Sequence, residues 1–223
     1  CVLETGPIVK VVSGIRRCGK STLFRLFKDE LLSEGVKPEQ IISINFEELE
    51  YEHLRDYHAL YQYILERMQP DEMNYIFLDE IQHVDQFHRV VDSLFAKENT
   101  DLYITGSNAY FMSSDIATLL TGRYVEIQML PLSFSEFYHS KYDGNQYSLI
   151  PAYESYLRES SFPYTQQLGG EDFDIQEYLR GLYNTLLLHD VVARLKISDV
   201  TILQDIVRYI MSNIGSLLSP NKI

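Results

Sequence analysis

Ile8-Val9-Lys10-Val11-Val12-Ser13-Gly14-Ile15-Arg16-Arg17-Cys18-Gly19-Lys20-Ser21-Thr22 runs from a short apolar segment through a polar, glycine-bounded loop into a helical pattern. Gly14 to Ser21 fits G-x-x-x-x-G-K-[ST] at every set position. Each residue type has a physical reason. Glycines let the backbone turn tightly and aim its N–H groups at phosphate oxygens. The helix opening at Gly19–Lys20 adds the positive end of its dipole. Lys20 is placed to reach β- and γ-phosphates, and the Ser21 hydroxyl to hold a magnesium ion. A chance turn can match the same pattern, but a strand before it and a helix after it are the context this loop needs. The expected nucleotide-binding set is Gly14, Ile15, Arg16, Arg17, Cys18, Gly19, Lys20, Ser21 and Thr22.

A second element is Tyr75-Ile76-Phe77-Leu78-Asp79-Glu80, an apolar run ending in two acids. A continuous apolar run reads as a central parallel strand buried on both faces. Open α/β sheets bind ligands at the carboxyl ends of such strands. Asp79 is therefore expected to hold magnesium opposite Ser21, usually through water. Glu80 is expected to orient and deprotonate an attacking water, as a general base. Standing alone, the pair reads more readily as an acidic helix cap after a strand.

Outward from these two stretches, short apolar runs alternate with helical patterns, the signature of a parallel sheet covered by helices. Strands are predicted at Ile8–Val12, Ile41–Ile44, Tyr75–Leu78, Leu102–Ile104 and Tyr124–Met129. Helices are predicted from Lys20 to about Leu32, along Leu54, Tyr57, Tyr61, Ile64, Leu65 and Met68, and at Val84–Phe95 and Met112–Leu120. After Pro131 only helices are predicted: Ser133–His139, Ile150–Glu159, Ile175–Leu188 and Val200–Leu217, with Ser140–Tyr147 a loop. The expected division is a core at 1–131 and a helical lid with the start of a C-terminal module at 132–223.

Thr105-Gly106-Ser107-Asn108 ends the fourth strand, so a polar side chain there can meet the γ-phosphate or the water. It also reads as a turn using Gly and Asn for their backbone freedom. Arg123, just before the fifth strand, is either a solvated arginine or one that reaches a neighbouring subunit's γ-phosphate. The pairs His53/His58 and His83/His88 are five apart, not the i, i+4 spacing that places two ligands on one helix face. Cys18 reads as a loop filler, or as a thiol activated by its electropositive surroundings.

Composition narrows the classes. The chain has 223 residues, 45% hydrophobic and 23% charged, as an ordinary globular protein does. No apolar run approaches the roughly 18 to 20 residues of a membrane span. With 19 Lys and Arg against 32 Asp and Glu, the surface is not suited to phosphate backbones, so direct nucleic-acid binding is not expected. The basic residues near the loop (Lys10, Arg16, Arg17, Lys20, Arg25 and Lys28) suit a polyphosphate. Two cysteines, one inside the loop, fit a reducing compartment, the cytoplasm by default. The start lacks a methionine and Ser219-Pro220 resembles a helix cap, so a fragment of a longer protein is expected.

Taken together and in this order, GIRRCGKSTL, INFEE (Ile44–Glu48), FLDEIQ, ITGSNA, LLTGRYVEI and PLSFSEF resemble a family of prokaryotic predicted AAA+ ATPases. The resemblance covers about Ile8 to Val191. It implies an α/β P-loop NTPase fold of AAA+ type: a five-stranded parallel sheet in order 5-1-4-3-2, flanked by helices and followed by a helical lid. It implies ATP and Mg²⁺ as cofactors, with Lys20 and Ser21 as loop ligands and Asp79 and Glu80 as the magnesium and water carboxylates. Ser107–Asn108 becomes the sensor and Arg123 the arginine finger. The family has a poorly characterised C-terminal region with a winged helix, and often a Gly-Gly-Phe-Pro segment near the lid. Here that segment is Ser160-Ser161-Phe162-Pro163.

The expected activity is Mg²⁺-dependent ATP hydrolysis coupled to conformational change, with a protein partner or self-association. The alternatives are a slow nucleotide-dependent switch or scaffold, and a P-loop kinase, which Glu80 disfavours because it suits activation of water.

Overall fold

The computed structural model describes residues 8–107, 120, 122–142, 147–168, 172–192 and 199–216. Five strands form one parallel sheet: β1 (Val9–Gly14), β2 (Ile41–Asn45), β3 (Asn74–Asp79), β4 (Thr100–Ser107) and β5 (Tyr124–Met129). Their order is β2-β3-β4-β1-β5, the expected 5-1-4-3-2 read from the other edge. All four pairings are parallel. Every strand end that carries a motif therefore opens onto one edge of the sheet.

Side chains alternate across a strand, and the two faces bury different cores. Val9, Val11, Ile76, Leu78, Leu102 and Ile104 share a cluster with Leu60 and Ile64 of α2 (Tyr57–Leu65) and Val90, Val91 and Leu94 of α3 (Phe87–Phe95). Val12, Phe77 and Tyr103 face α1 (Lys20–Ser33), through Phe24, Phe27 and Leu31. Here Phe77 stacks on Tyr103 with ring centroids 4.7 Å apart, and Phe24 meets Phe77 edge-on at 5.2 Å. Offset and edge-on aromatic pairs of this kind contribute roughly 0.5–1.5 kcal/mol beyond their area. Helix α1 spans Lys20–Ser33, against the predicted Lys20 to about Leu32. In α2 the fully buried residues are Leu60, which the predicted face omitted, and Ile64, with Tyr57 and Tyr61 half-buried against the same core. Asp56 caps α2 by accepting from the Ala59 N–H, so the helix starts later than its apolar pattern. Leu54 lies in the preceding 3₁₀ turns instead.

β5 is an edge strand and half-exposed, as its alternation predicts. The segment expected as a helix at Met112–Leu120 lies outside the described residues except Leu120, which sits in a turn.

The chain divides into two compact units, residues 1–166 and 167–223. Among the described residues no strand follows Met129, so strand and helix stop alternating near Pro131. The unit boundary falls later. In the first unit, α4 (Phe134–Tyr142) opens with a reciprocal cap: the Ser133 N–H and hydroxyl both donate to Glu136, and the Glu136 N–H donates back to the Ser133 hydroxyl. These bonds hold the Glu136 carboxyl below its ordinary range. Helix α4 extends through Tyr142, beyond the loop start expected at Ser140. Helix α5 (Leu149–Glu159) follows, with Phe134 and Phe137 packed on Tyr156. It ends at Ser160, which has φ 76 and ψ 164. That backbone region is essentially glycine's, the residue that the resembled family often has at this point. The second unit contains α6 (Asp172–Asn184), continuing as a wider π-type helix over Thr185–Val192, and α7 (Val200–Ser212), capped by Asp199.

Candidate nucleotide site

Helix α1 and strand β1 hold the loop between them. Gly14 is irreplaceable on steric grounds: a Cβ there would stand 2.5 Å from the Met129 carbonyl oxygen and 2.7 Å from the Cys18 sulfur. Gly19 has φ +110 and needs glycine for its backbone. Arg17 takes a left-handed conformation at φ 68. Ile15 and Arg16 are half-buried, Arg17 is exposed and Cys18 is buried. Ser21 and Thr22 lie exposed on the first turn of α1.

Lys20 is buried, at 4% exposure. Its Nζ donates to the carbonyls of Gly14 at 3.1 Å and Ile15 at 3.3 Å, and lies 3.5 Å from Glu80 Oε1. The loop lysine and the acidic strand end thus occupy one site, although the residues are sixty positions apart. Asp79 and Glu80 are both 6% exposed. A charge so far out of water needs partners, and both have them. Asp79 Oδ1 accepts from the Thr105 hydroxyl, which in turn accepts from the Glu80 N–H at 2.9 Å. Glu80 stands in the left-handed region at φ 54 and leads into a 3₁₀ turn at Ile81–His83. That turn brings Gln82 back onto it: Gln82 Nε2 donates to Glu80 Oε2 at 2.5 Å.

Thr105 is a site residue whose specific role sequence reasoning did not assign. The signal was a hydroxyl at the end of β4, but its partner follows only from the register that sets Leu78 against Ile104. Asn108 lies outside the described residues, and of Ser107 only the backbone pairing with Gly14 is described.

Arg123 is elsewhere. β5 runs parallel to β1, with Tyr124 against Val9 and Met129 against Gly14. Arg123 therefore sits at the amino edge of the sheet, a strand length or roughly 17 Å from the loop. It is exposed, with its guanidinium 5.7 Å from the Phe95 ring centroid. Lys10 also departs from expectation. It is fully buried in β1 and paired with Asp101 at 2.5 Å, so it is no part of the phosphate site. Arg16 pairs with Glu47, and Lys28 donates to Ser43. The activated-thiol reading of Cys18 fails too. Burial pushes the thiol up more than the Lys20 ammonium pulls it down, the opposite of activation.

A glycine-bounded loop between a buried strand and a helix, facing two buried carboxylates at a parallel sheet's carboxyl edge, defines a P-loop nucleotide-binding protein. The profile of the AAA domain family matches residues 7–138, and the chain belongs to that family. This membership points to a nucleotide-binding protein of ATPase type. An uncharacterised protein of Haemophilus influenzae is 38% identical over 218 residues, covering 96% of this chain and 54% of that protein. One of Methanocaldococcus jannaschii is 30% identical over 224 residues, covering 92% and 47%. The chain spans about half the length of the curated relatives it matches. Among solved structures, a DNA polymerase III gamma subunit-related protein of Thermotoga maritima is similar at 13% identity and a TM-score of 0.47, covering 87% of this chain and 63% of that one. Among the described residues no helix is long and apolar enough to cross a membrane.

Proposed function

We propose that this chain binds ATP with Mg²⁺ and hydrolyses it, coupling nucleotide state to a conformational change. The observation that carries this reading is the Lys20–Glu80 contact at 3.5 Å, which joins the loop to the acidic strand end. Lys20 donates to the loop's own carbonyls and faces Glu80. Polyphosphate oxygens are better acceptors for an ammonium group than carbonyls, so binding draws Lys20 away. Glu80 Oε1 is then free to accept a proton from water. The Ser21 hydroxyl and the Asp79 carboxylate are hard oxygen donors and fit Mg²⁺, which takes one or two protein oxygens alongside phosphates and water. When bound, the ion neutralises charge on the phosphates. Ser107–Asn108 would sense the γ-phosphate. From the amino edge Arg123 can serve only another subunit's nucleotide, so self-association belongs to this reading. The helices after Pro131 act as the lid and coupling element toward a protein partner. Acidic residues outnumber basic ones from Glu171 onward, which supports a protein target over nucleic acid. The cytoplasm is the compartment this chemistry fits.

Two substitutions test the proposal. Glu80→Gln keeps the shape and loses the base, so ATP should still bind while turnover falls by about 10²-fold or more. Lys20→Ala should abolish measurable ATP affinity with the fold retained. Near-native affinity in Lys20→Ala, by calorimetry, sinks the phosphate site. Tight ATP retention with negligible phosphate release by the unmodified chain makes it a switch instead.

A further inference from the structure

Gln82 is not used by the chemistry above, yet it is tied to the group that does the work. Its Nε2 holds Glu80 Oε2 at 2.5 Å, and its Oε1 is buried with no hydrogen-bond partner. Residues two apart do not face each other on a regular helix. They meet here because Glu80 takes a left-handed backbone, φ 54, and the next residues form a single 3₁₀ turn. A non-glycine residue held there carries backbone strain, and such strain persists only where its surroundings impose it. The two oxygens of Glu80 are thus assigned to different partners. Oε1 faces Lys20 at 3.5 Å, a contact that phosphate would replace. Oε2 faces Gln82, which no phosphate displaces. The unpaired Gln82 oxygen stands beside the same carboxylate, and an unpaired buried acceptor is costly unless something later donates to it.

We infer that Gln82 is a positioning residue for the hydrolytic water: its amide N–H pins Glu80 Oε2 so that Oε1 points at the water, and its Oε1 accepts the water's second hydrogen. The inference rests on Glu80 as the base. Water gives one proton to Glu80 Oε1 as its oxygen attacks the terminal phosphorus. The other hydrogen stays on that oxygen and is held by Gln82, while ADP leaves with the bonding electron pair.

The test uses the 223-residue chain, with ATP affinity by calorimetry, turnover, and the pH profile of turnover. Gln82→Met keeps the side-chain volume and removes both hydrogen bonds. Affinity should stay within about twofold, and turnover should fall about tenfold, the effect of roughly one lost hydrogen bond in the transition state. Gln82→Glu sets a second carboxylate against Glu80, which disfavours ionisation of the pair, so the acid limb of the profile should move to higher pH. A glutamine that serves only the fold would lower thermal stability and leave turnover of the folded protein unchanged. Adding Gln82→Met to Glu80→Gln should cost less than Gln82→Met costs alone, because the hold on Glu80 Oε2 then no longer serves a base. Unchanged turnover in Gln82→Met, with Glu80→Gln still crippled, overturns this inference and leaves the base assignment standing. Unchanged turnover in Glu80→Gln overturns both. If Gln82→Met fails to fold, as judged by its thermal transition, Gln82→Leu decides, and unchanged turnover in that variant overturns the inference.

Discussion

The two edges of the sheet bury polar groups to opposite ends. At the amino edge every contact closes within the fold. Asn74 donates to the carbonyls of Gln69, Glu72 and Asn99 and accepts from the Gln69 N–H. The Thr100 hydroxyl donates to the Leu94 carbonyl, and Tyr103 and Lys10 share Asp101. At the carboxyl edge the buried charges Lys20, Asp79 and Glu80 have partners that a ligand can replace: the backbone carbonyls around Lys20, the Lys20–Glu80 contact itself, and beside them one amide oxygen, of Gln82, with no hydrogen-bond partner. A saturated polar network contributes rigidity and has nothing left to offer a ligand. An edge whose charges are loosely lent to one another can exchange those partners for phosphate and water. Burial of polar groups therefore marks function here only where their hydrogen bonds are incomplete or exchangeable.

Arg123 offers the largest test of that contrast, because it is a proposed functional residue on the closed edge. If it serves a neighbour's nucleotide, Arg123→Ala should lower turnover by up to about 10³-fold without weakening ATP binding. Mixing Arg123→Ala with Glu80→Gln should restore part of the activity, since one interface then pairs an intact Glu80 with an intact Arg123. No rescue in a mixture shown to exchange subunits removes Arg123 from the chemistry and leaves the amino edge purely structural.

A smaller effect should appear when the closed network is opened. Asn74→Ala leaves several buried backbone groups unpaired, and the loss should be about 2 kcal/mol of stability. ATP affinity and turnover at a temperature where the variant is folded should not change. Denaturant titration and a turnover assay read the two halves, and a selective loss of turnover would show the edges to be coupled.

The smallest effect lies outside both edges, at Ser160. With φ 76 and ψ 164 this serine holds a glycine conformation, so Ser160→Gly should raise stability by about 1 kcal/mol. A change in ATP affinity without a gain in thermal stability would make the strained turn a nucleotide contact rather than a tolerated substitution.

Much of the core was legible because its signals are local. Short apolar runs, the alternation of Tyr124–Met129 and helical stripes with period near 3.6 give strands and helices directly, and all five strands lie where those patterns predict. Tyr124–Met129 matches to the residue. Ends drifted where caps decide, as at Asp56, because a cap depends on one side chain rather than on a repeating pattern. The loop was legible for a different reason: Gly14 and Gly19 answer steric demands that few other sequences meet.

What the sequence by itself determined is the set of chemical groups and the strand ends that carry them: Lys20, Ser21, Asp79 and Glu80 at one edge of a parallel sheet. Which groups meet was decided only by the tertiary structure. Lys10 sits in the same basic stretch as Lys20, yet lies inside β1 against Asp101, ninety-one positions away. Thr105 reaches Asp79 because β3 and β4 align Leu78 with Ile104. Gln82 reaches Glu80 because one residue turns left-handed, and Arg123 is carried to the far edge because β5 runs parallel to β1. Each of these is a question of register or of a single dihedral, and those are settled by long-range packing that no local pattern encodes.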